Sequence, residues 1–90
     1  MTNTDKDRIL KQAIKQWGDQ AQIDMMIEEC AELIQALNKF RRGKENSLAN
    51  VHEELADVQI MLDQMRLIFV DESIRHYEHD KLVRLANRLK

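Results

Sequence analysis

Two short stretches of this chain gather carboxylates at helical spacing: Glu28, Glu29 and Glu32 in IEECAEL, then Glu54 and Asp57 in EELAD. Acids three apart on a helix occupy adjacent turns of one face, so Glu29 with Glu32, and Glu54 with Asp57, can each converge on a single point. Two carboxylates about 4 Å apart repel by roughly 4 kcal/mol at an effective dielectric near 20. Four or five of them packed together would strain a domain whose total stability is about 5–15 kcal/mol. Something positive is therefore expected among them, and ligation by oxygen alone suits a hard cation, Mg²⁺ or Mn²⁺, better than zinc. The structural alternative is an ion pair with a lysine or arginine of another helix. A solvated face competes for Glu53 and Glu28. A di-iron bundle needs Glu-x-x-His on two helices, and none of His52, His76 and His79 has a glutamate three positions before it.

The elements that must position these acids follow from composition and punctuation. The chain has no proline and only two glycines, so little interrupts helical backbone except Gly18 and Gly43. The first helix is expected from about Thr4 to Trp17, capped by Thr4 with Asp7 three residues on. Ile9, Leu10, Ala13, Ile14 and Trp17 form its apolar stripe. Asp19 is expected to cap a second helix reaching about Arg42, with Lys39, Arg41 and Arg42 at its negative end. After the connection GKENS, Ser47 is expected to cap a third helix running to about Val70. Asp71 or Ser73 starts a fourth that ends near the C-terminus. Short connections between long helices make antiparallel neighbours. The expected fold is all-α: a four-helix bundle-like protomer, one domain over residues 1–90, assembled with helices of a second copy because ninety residues bury only a modest core.

Helical period places the acids unevenly. On the second helix Ile23, Met26, Cys30, Leu33, Leu37 and Phe40 alternate spacings of three and four, which predicts the packing seam. The row beside it is Met25, Glu29, Glu32 and Ala36, and Glu28 falls on a wetter edge. On the third helix Val51, Glu54, Val58, Met61, Met65 and Ile68 form the seam. Glu54 thus occupies a core position, where a carboxylate is rarely left without a partner. Asp57 sits at the edge of that stripe.

EECAE followed after a short gap by EELAD resembles the EExxE…ExxD signature of the MazG-like, all-α nucleoside triphosphate pyrophosphohydrolases. The likeness extends to the Trp17-Gly18 pair before the first acidic helix and to the closing KLVRLANRL. The resemblance implies Mg²⁺-dependent cleavage of a nucleoside triphosphate between its α and β phosphates, giving a monophosphate and pyrophosphate, in a homodimer or homotetramer. By position it implies metal ligands at Glu29, Glu32, Glu54 and Asp57. Glu28 would be a second-metal ligand or the group orienting the attacking water. It also implies phosphate contacts from Lys81 and Arg84. His79 stands where several relatives carry asparagine, so a role for that amide is not transferred.

The remaining features are read against plainer alternatives. On the fourth helix Ile74, Leu82, Leu85 and Leu89 predict a buried face, flanked by Tyr77, Lys81, Arg84 and Arg88. Cations on such a flank often snorkel and pair with acids, the simpler reading for Arg88. Trp17 is a candidate core plug or interface anchor rather than a stacking platform. Cys30 is the only cysteine, so no internal disulfide forms. A formal charge of −2 argues against a protein that coats nucleic acid. The polar start, with no apolar run of membrane-spanning length, makes a soluble cytoplasmic protein the expectation. Two further functions share these features: a non-catalytic helical module that dimerises or binds a partner, and a phosphoribosyl-ATP pyrophosphatase.

Overall fold

A computed structural model describes residues 1–90 and contains four helices and no strand: α1 (Asn3–Trp17), α2 (Asp19–Arg41), α3 (Ser47–Ile68) and α4 (Asp71–Arg88). Each break has a local cause. Gly18 turns the chain at a φ of 89°, a region that costs little only without a Cβ. Its N–H closes α1 on the Ile14 carbonyl at 2.8 Å, and its own carbonyl accepts the Gln22 N–H at 3.2 Å to open α2. Gly43, at φ 74°, follows the end of α2. Asn46 precedes α3 in the left-handed region, which its short polar side chain tolerates.

The caps differ from expectation. Thr2, not Thr4, caps α1: its hydroxyl accepts the Asp5 N–H at 3.1 Å while Asp5 accepts the Thr2 N–H at 3.3 Å. Thr2/Asp5 and Thr4/Asp7 have the same spacing, and the earlier pair adds half a turn of helix. Asp19 and Ser47 are first helical residues rather than caps, and neither α2 nor α3 has a side-chain cap.

α2 and α3, joined by a short connection, form the antiparallel pair that holds most of the interior, and α1 packs on both. The buried apolar residues are Leu10, Ala36, Val51, Val58 and Met61. The α3 seam lies where its spacing puts it. The α2 contact line is rotated from the expected seam toward the neighbouring row. Its most buried positions are Gln22 and Ala36, while Leu37 and Phe40 are 45% and 50% exposed. Ala36, completely buried, is consistent with that rotation, because a methyl side chain lets two helix backbones approach where leucine would hold them apart. Lys6 forms an ion pair with Asp63 that ties α1 to α3. Trp17 is 61% exposed, so it is not a core plug within this chain.

α4 does not close the bundle. It touches α3 alone, held at its start by Arg66, whose guanidinium donates to Asp71 Oδ1 at 2.9 Å and Glu78 Oε2 at 3.2 Å. Val70, at the junction, has a φ of 68°, a conformation costing a β-branched residue about 1–3 kcal/mol. Leu82, Leu85 and Leu89 were expected on a buried face but are exposed, because no second element lies against that part of α4. The radius of gyration, 15.8 Å, exceeds the roughly 12 Å of a compact ninety-residue domain. No helix is long and apolar enough to cross a membrane.

Candidate metal centre

The α2/α3 pair brings acids from both helices together. One carboxylate oxygen each from Glu29, Glu54 and Asp57 lies within 4.8 Å of the other two. Glu29 and Glu54 are half-buried and Asp57 is exposed at the rim. The rotation of α2 moves Glu29 from the flank onto the contact line, directly facing the α3 seam that carries Glu54. Oε2 of Glu29 and Oε2 of Glu54 are shielded from solvent and accept no hydrogen bond.

None of these three acids has a cation beside it. The chain's ion pairs involve Asp5, Asp7, Asp63, Asp71, Glu78 and Asp80, so the ion-pair alternative for Glu54 is not realised within the chain. Burial pushes the Glu29 carboxyl above its ordinary value of 4.5, and the charges of Glu32, Asp57, Glu54 and Glu28 push it the same way. Burial again leads for Glu54, followed by the charges of Glu32, Asp57 and Glu53. Both groups thus hold their protons more tightly than a solvated glutamate. Two orphaned oxygens and a third at the rim are all hard donors, of the kind that divalent cations take.

The other expected site residues are placed differently. Glu32 is exposed and borders the triad without completing it, its influence reaching both Glu29 and Glu54. Glu28 is exposed on the outer edge of α2. Lys81 and Arg84 are exposed on α4 and line a shallow cleft with Leu85 and Arg88. α4 has no contact with α2, so these cations and the acids do not form one site within the chain. Two polar side chains escaped the sequence reading: Gln22 and Gln64 are each 5% exposed, and Oε1 of Gln64 has no partner. Gln22 is seven residues before Glu29 and Gln64 seven after Asp57, so both lie about 10 Å from the triad in the same direction along the antiparallel pair. Gln64, three residues after Met61, was legible as a polar residue at seam spacing. Gln22 was not, because the α2 seam was placed one row away.

Comparison of the chain with protein-family models, with curated proteins and with solved structures gives no match.

Proposed function

We propose that this chain is a Mg²⁺-dependent nucleoside triphosphate pyrophosphohydrolase, with Mn²⁺ as a substitute. It adds water across the α–β phosphoanhydride to give a nucleoside monophosphate and pyrophosphate. The observation that carries the reading is the convergence of Glu29, Glu54 and Asp57 with two buried, unpartnered oxygens. Evolution of a stable fold disfavours such a cluster unless a cation belongs there. The motif resemblance of EECAE and EELAD adds the reaction class.

In this reading Glu29, Glu54 and Asp57 hold the cation and Glu32 supplies further negative charge at its edge. A divalent cation bound there neutralises and polarises phosphate oxygens, which is most of what phosphoryl-transfer chemistry requires. Glu28 accepts a proton from the attacking water, a role that rests on the motif resemblance, since its side chain is exposed on the outer edge of α2. Lys81 and Arg84 contact the phosphate oxygens left uncovered. That role requires α4 to reach an acidic face in an assembled homo-oligomer, since within one chain it does not. The site would serve a cytoplasmic enzyme that clears surplus or non-standard nucleotides. A phosphoribosyl-ATP substrate and a non-catalytic helical module are the competing functions.

The test is a panel of nucleoside triphosphates and phosphoribosyl-ATP incubated with pure protein and Mg²⁺, read as released pyrophosphate. Turnover of at least one substrate that disappears on chelation supports the reading. Absence of pyrophosphate across the panel at micromolar enzyme removes it.

A further inference from the structure

Three things can fix the direction in which a helix leaves its neighbour: apolar packing, the backbone at its root, and charge contacts along its length. For α4 the first is slight. Only Asp71 and Ile74 of this helix are half-buried, and every residue from Arg75 onward is exposed. Ile74 is thus the one apolar side chain that docks α4 on α3. The root is two residues long, Phe69 and Val70. Phe69 still closes α3, its N–H donating to the Met65 carbonyl at 2.8 Å, and the Val70 carbonyl already accepts the Ser73 and Ile74 N–H groups of α4. The change of direction is therefore concentrated at Val70. Its φ of 68° is one that a β-branched residue keeps only where its surroundings hold it there.

One side chain does the holding. Arg66, in the last turn of α3, donates through Nη1 to Asp71 Oδ1 at 2.9 Å and through Nη2 to Glu78 Oε2 at 3.2 Å. The two acceptors have unequal leverage. Asp71 is one residue beyond Val70 and can keep its bond over a wide range of angles. Glu78 is eight residues beyond, about 12 Å out along the helix axis, so its bond sets the angle. A guanidinium can bridge both acids because its N–H groups form a rigid planar fork, which an ammonium lacks. The remaining ion pairs of α4, Arg75 with Asp71 and His76 with Asp80, are internal to the helix and cannot orient it.

We infer that α4 is a hinged arm, with Val70 as the hinge and the Arg66–Glu78 contact as the clasp that sets its angle. Breaking the clasp removes what keeps Val70 strained and lets α4 swing about its root. Salt is one agent that breaks it. Arg66 is 28% and Glu78 54% exposed, and the screening length falls from about 10 Å at 0.1 M ionic strength to about 3 Å at 1 M. The free end of the arm holds Lys81, Arg84 and Arg88 around one shallow cleft. Arg84 is fourteen residues beyond the hinge, about 21 Å along the axis, so a swing of about 20° moves it roughly 7 Å. Arg66 is thus a positioning residue for that basic cleft, acting from α3 through the angle of the arm. The device needs neither the cation nor the substrate of the proposed function.

The experiment is a pulsed electron–electron distance measurement on the full chain. Nitroxides are placed at His52→Cys on α3 and Asn87→Cys on α4, both exposed positions, in a Cys30→Ser background. Labelled chains are diluted in unlabelled ones so that only distances within a chain are read. At low salt the distribution is expected to be single and narrow. Glu78→Ala and Arg66→Lys should each at least double its width, and so should about 1 M sodium chloride with the clasp residues unchanged. Adding that salt to Glu78→Ala should widen it no further. Arg75→Ala, which removes an ion pair internal to α4, should leave the width as it was. Helicity by circular dichroism should be the same throughout, since the arm moves as a folded helix. A distribution that is already broad at low salt overturns the inference, as does one that neither clasp variant widens. Equal broadening by Arg75→Ala and Glu78→Ala overturns it too, because the angle would then not depend on the clasp. If the clasp variants do not fold, the salt series decides: a width that stays constant up to about 1 M refutes the clasp.

Discussion

Replacing Glu54 with Gln separates a cation site from a structural use of the same acids. The triad contains three mutual carboxylate pairs, and Glu54 takes part in two of them. Glu54→Gln therefore removes two of three repulsions while keeping nearly the same side-chain volume. It also gives the site a donor that Glu29 can accept from. Without divalent cation the variant should be at least as stable as the wild type. With cation the order reverses. At a Mg²⁺ concentration one hundred times its dissociation constant, binding stabilises the wild type by about 2.7 kcal/mol. Loss of one of three ligands weakens binding about tenfold or more, leaving about 1.4 kcal/mol or less at the same concentration. At about 4–8 °C per kcal/mol for a domain of this size, the Mg²⁺-induced rise in melting temperature should fall from about 11–22 °C to about 6–11 °C or below. Thermal denaturation with and without Mg²⁺ reads both effects, and pyrophosphate release should fall at least a hundredfold. A variant that melts lower than wild type without cation, and answers Mg²⁺ as the wild type does, would refute the reasoning. It would mean that Glu54 is held by a structural partner.

Further outcomes follow from the same geometry. Glu29 and Glu54 have raised carboxyl pKa values, so the folded chain binds protons more tightly than the unfolded one near and above the ordinary value of 4.5. Their contribution to stability is thus fully present below that value and is lost as pH rises through the raised folded values. The cation-free melting temperature should gain from these groups as pH falls from 7 toward 5, and the gain should vanish in a Glu29→Gln, Glu54→Gln double variant. Asp5, lowered by its Thr2 hydrogen bonds, works in the opposite sense and only at more acidic pH. Lys81→Ala and Arg84→Ala remove exposed cations without an ion pair. They should leave the melting temperature within about 0.5 kcal/mol equivalent while raising KM for a triphosphate at least tenfold; unchanged kinetics would remove both residues from the site. Ala36 is completely buried between α2 and α3, so Ala36→Leu should cost about 1–3 kcal/mol by overpacking and weaken cation binding by spreading the two acidic helices. Urea denaturation and cation titration measure these two effects.

Much of the architecture was legible because it depends on local chemistry. Gly18 and Gly43 end helices wherever the rest of the chain goes, and the three-four spacing of Val51, Glu54, Val58 and Met61 marks the buried line of α3. The α1 cap was misplaced because two Thr/Asp pairs satisfy the same local rule, and only the number of helical hydrogen bonds gained decides between them. The exposed face of α4 was misassigned for a different reason: amphipathic spacing states that a helix has an apolar face, not that its own chain supplies the cover.

The candidate site divides in the same way. Sequence alone determined that Glu54 would sit at a packing position and that acids three apart would share a face, since both follow from 3.6 residues per turn. Only the tertiary structure decided which acids meet. Period sets spacing along a helix but leaves open the azimuth at which a neighbour makes contact, and α2 is apolar over a wide arc. The folded pair adopts the azimuth that buries Ala36 completely, placing Glu29 against Glu54 and Asp57, leaving Glu28 outside, and turning Ile27 and Ile34 toward solvent.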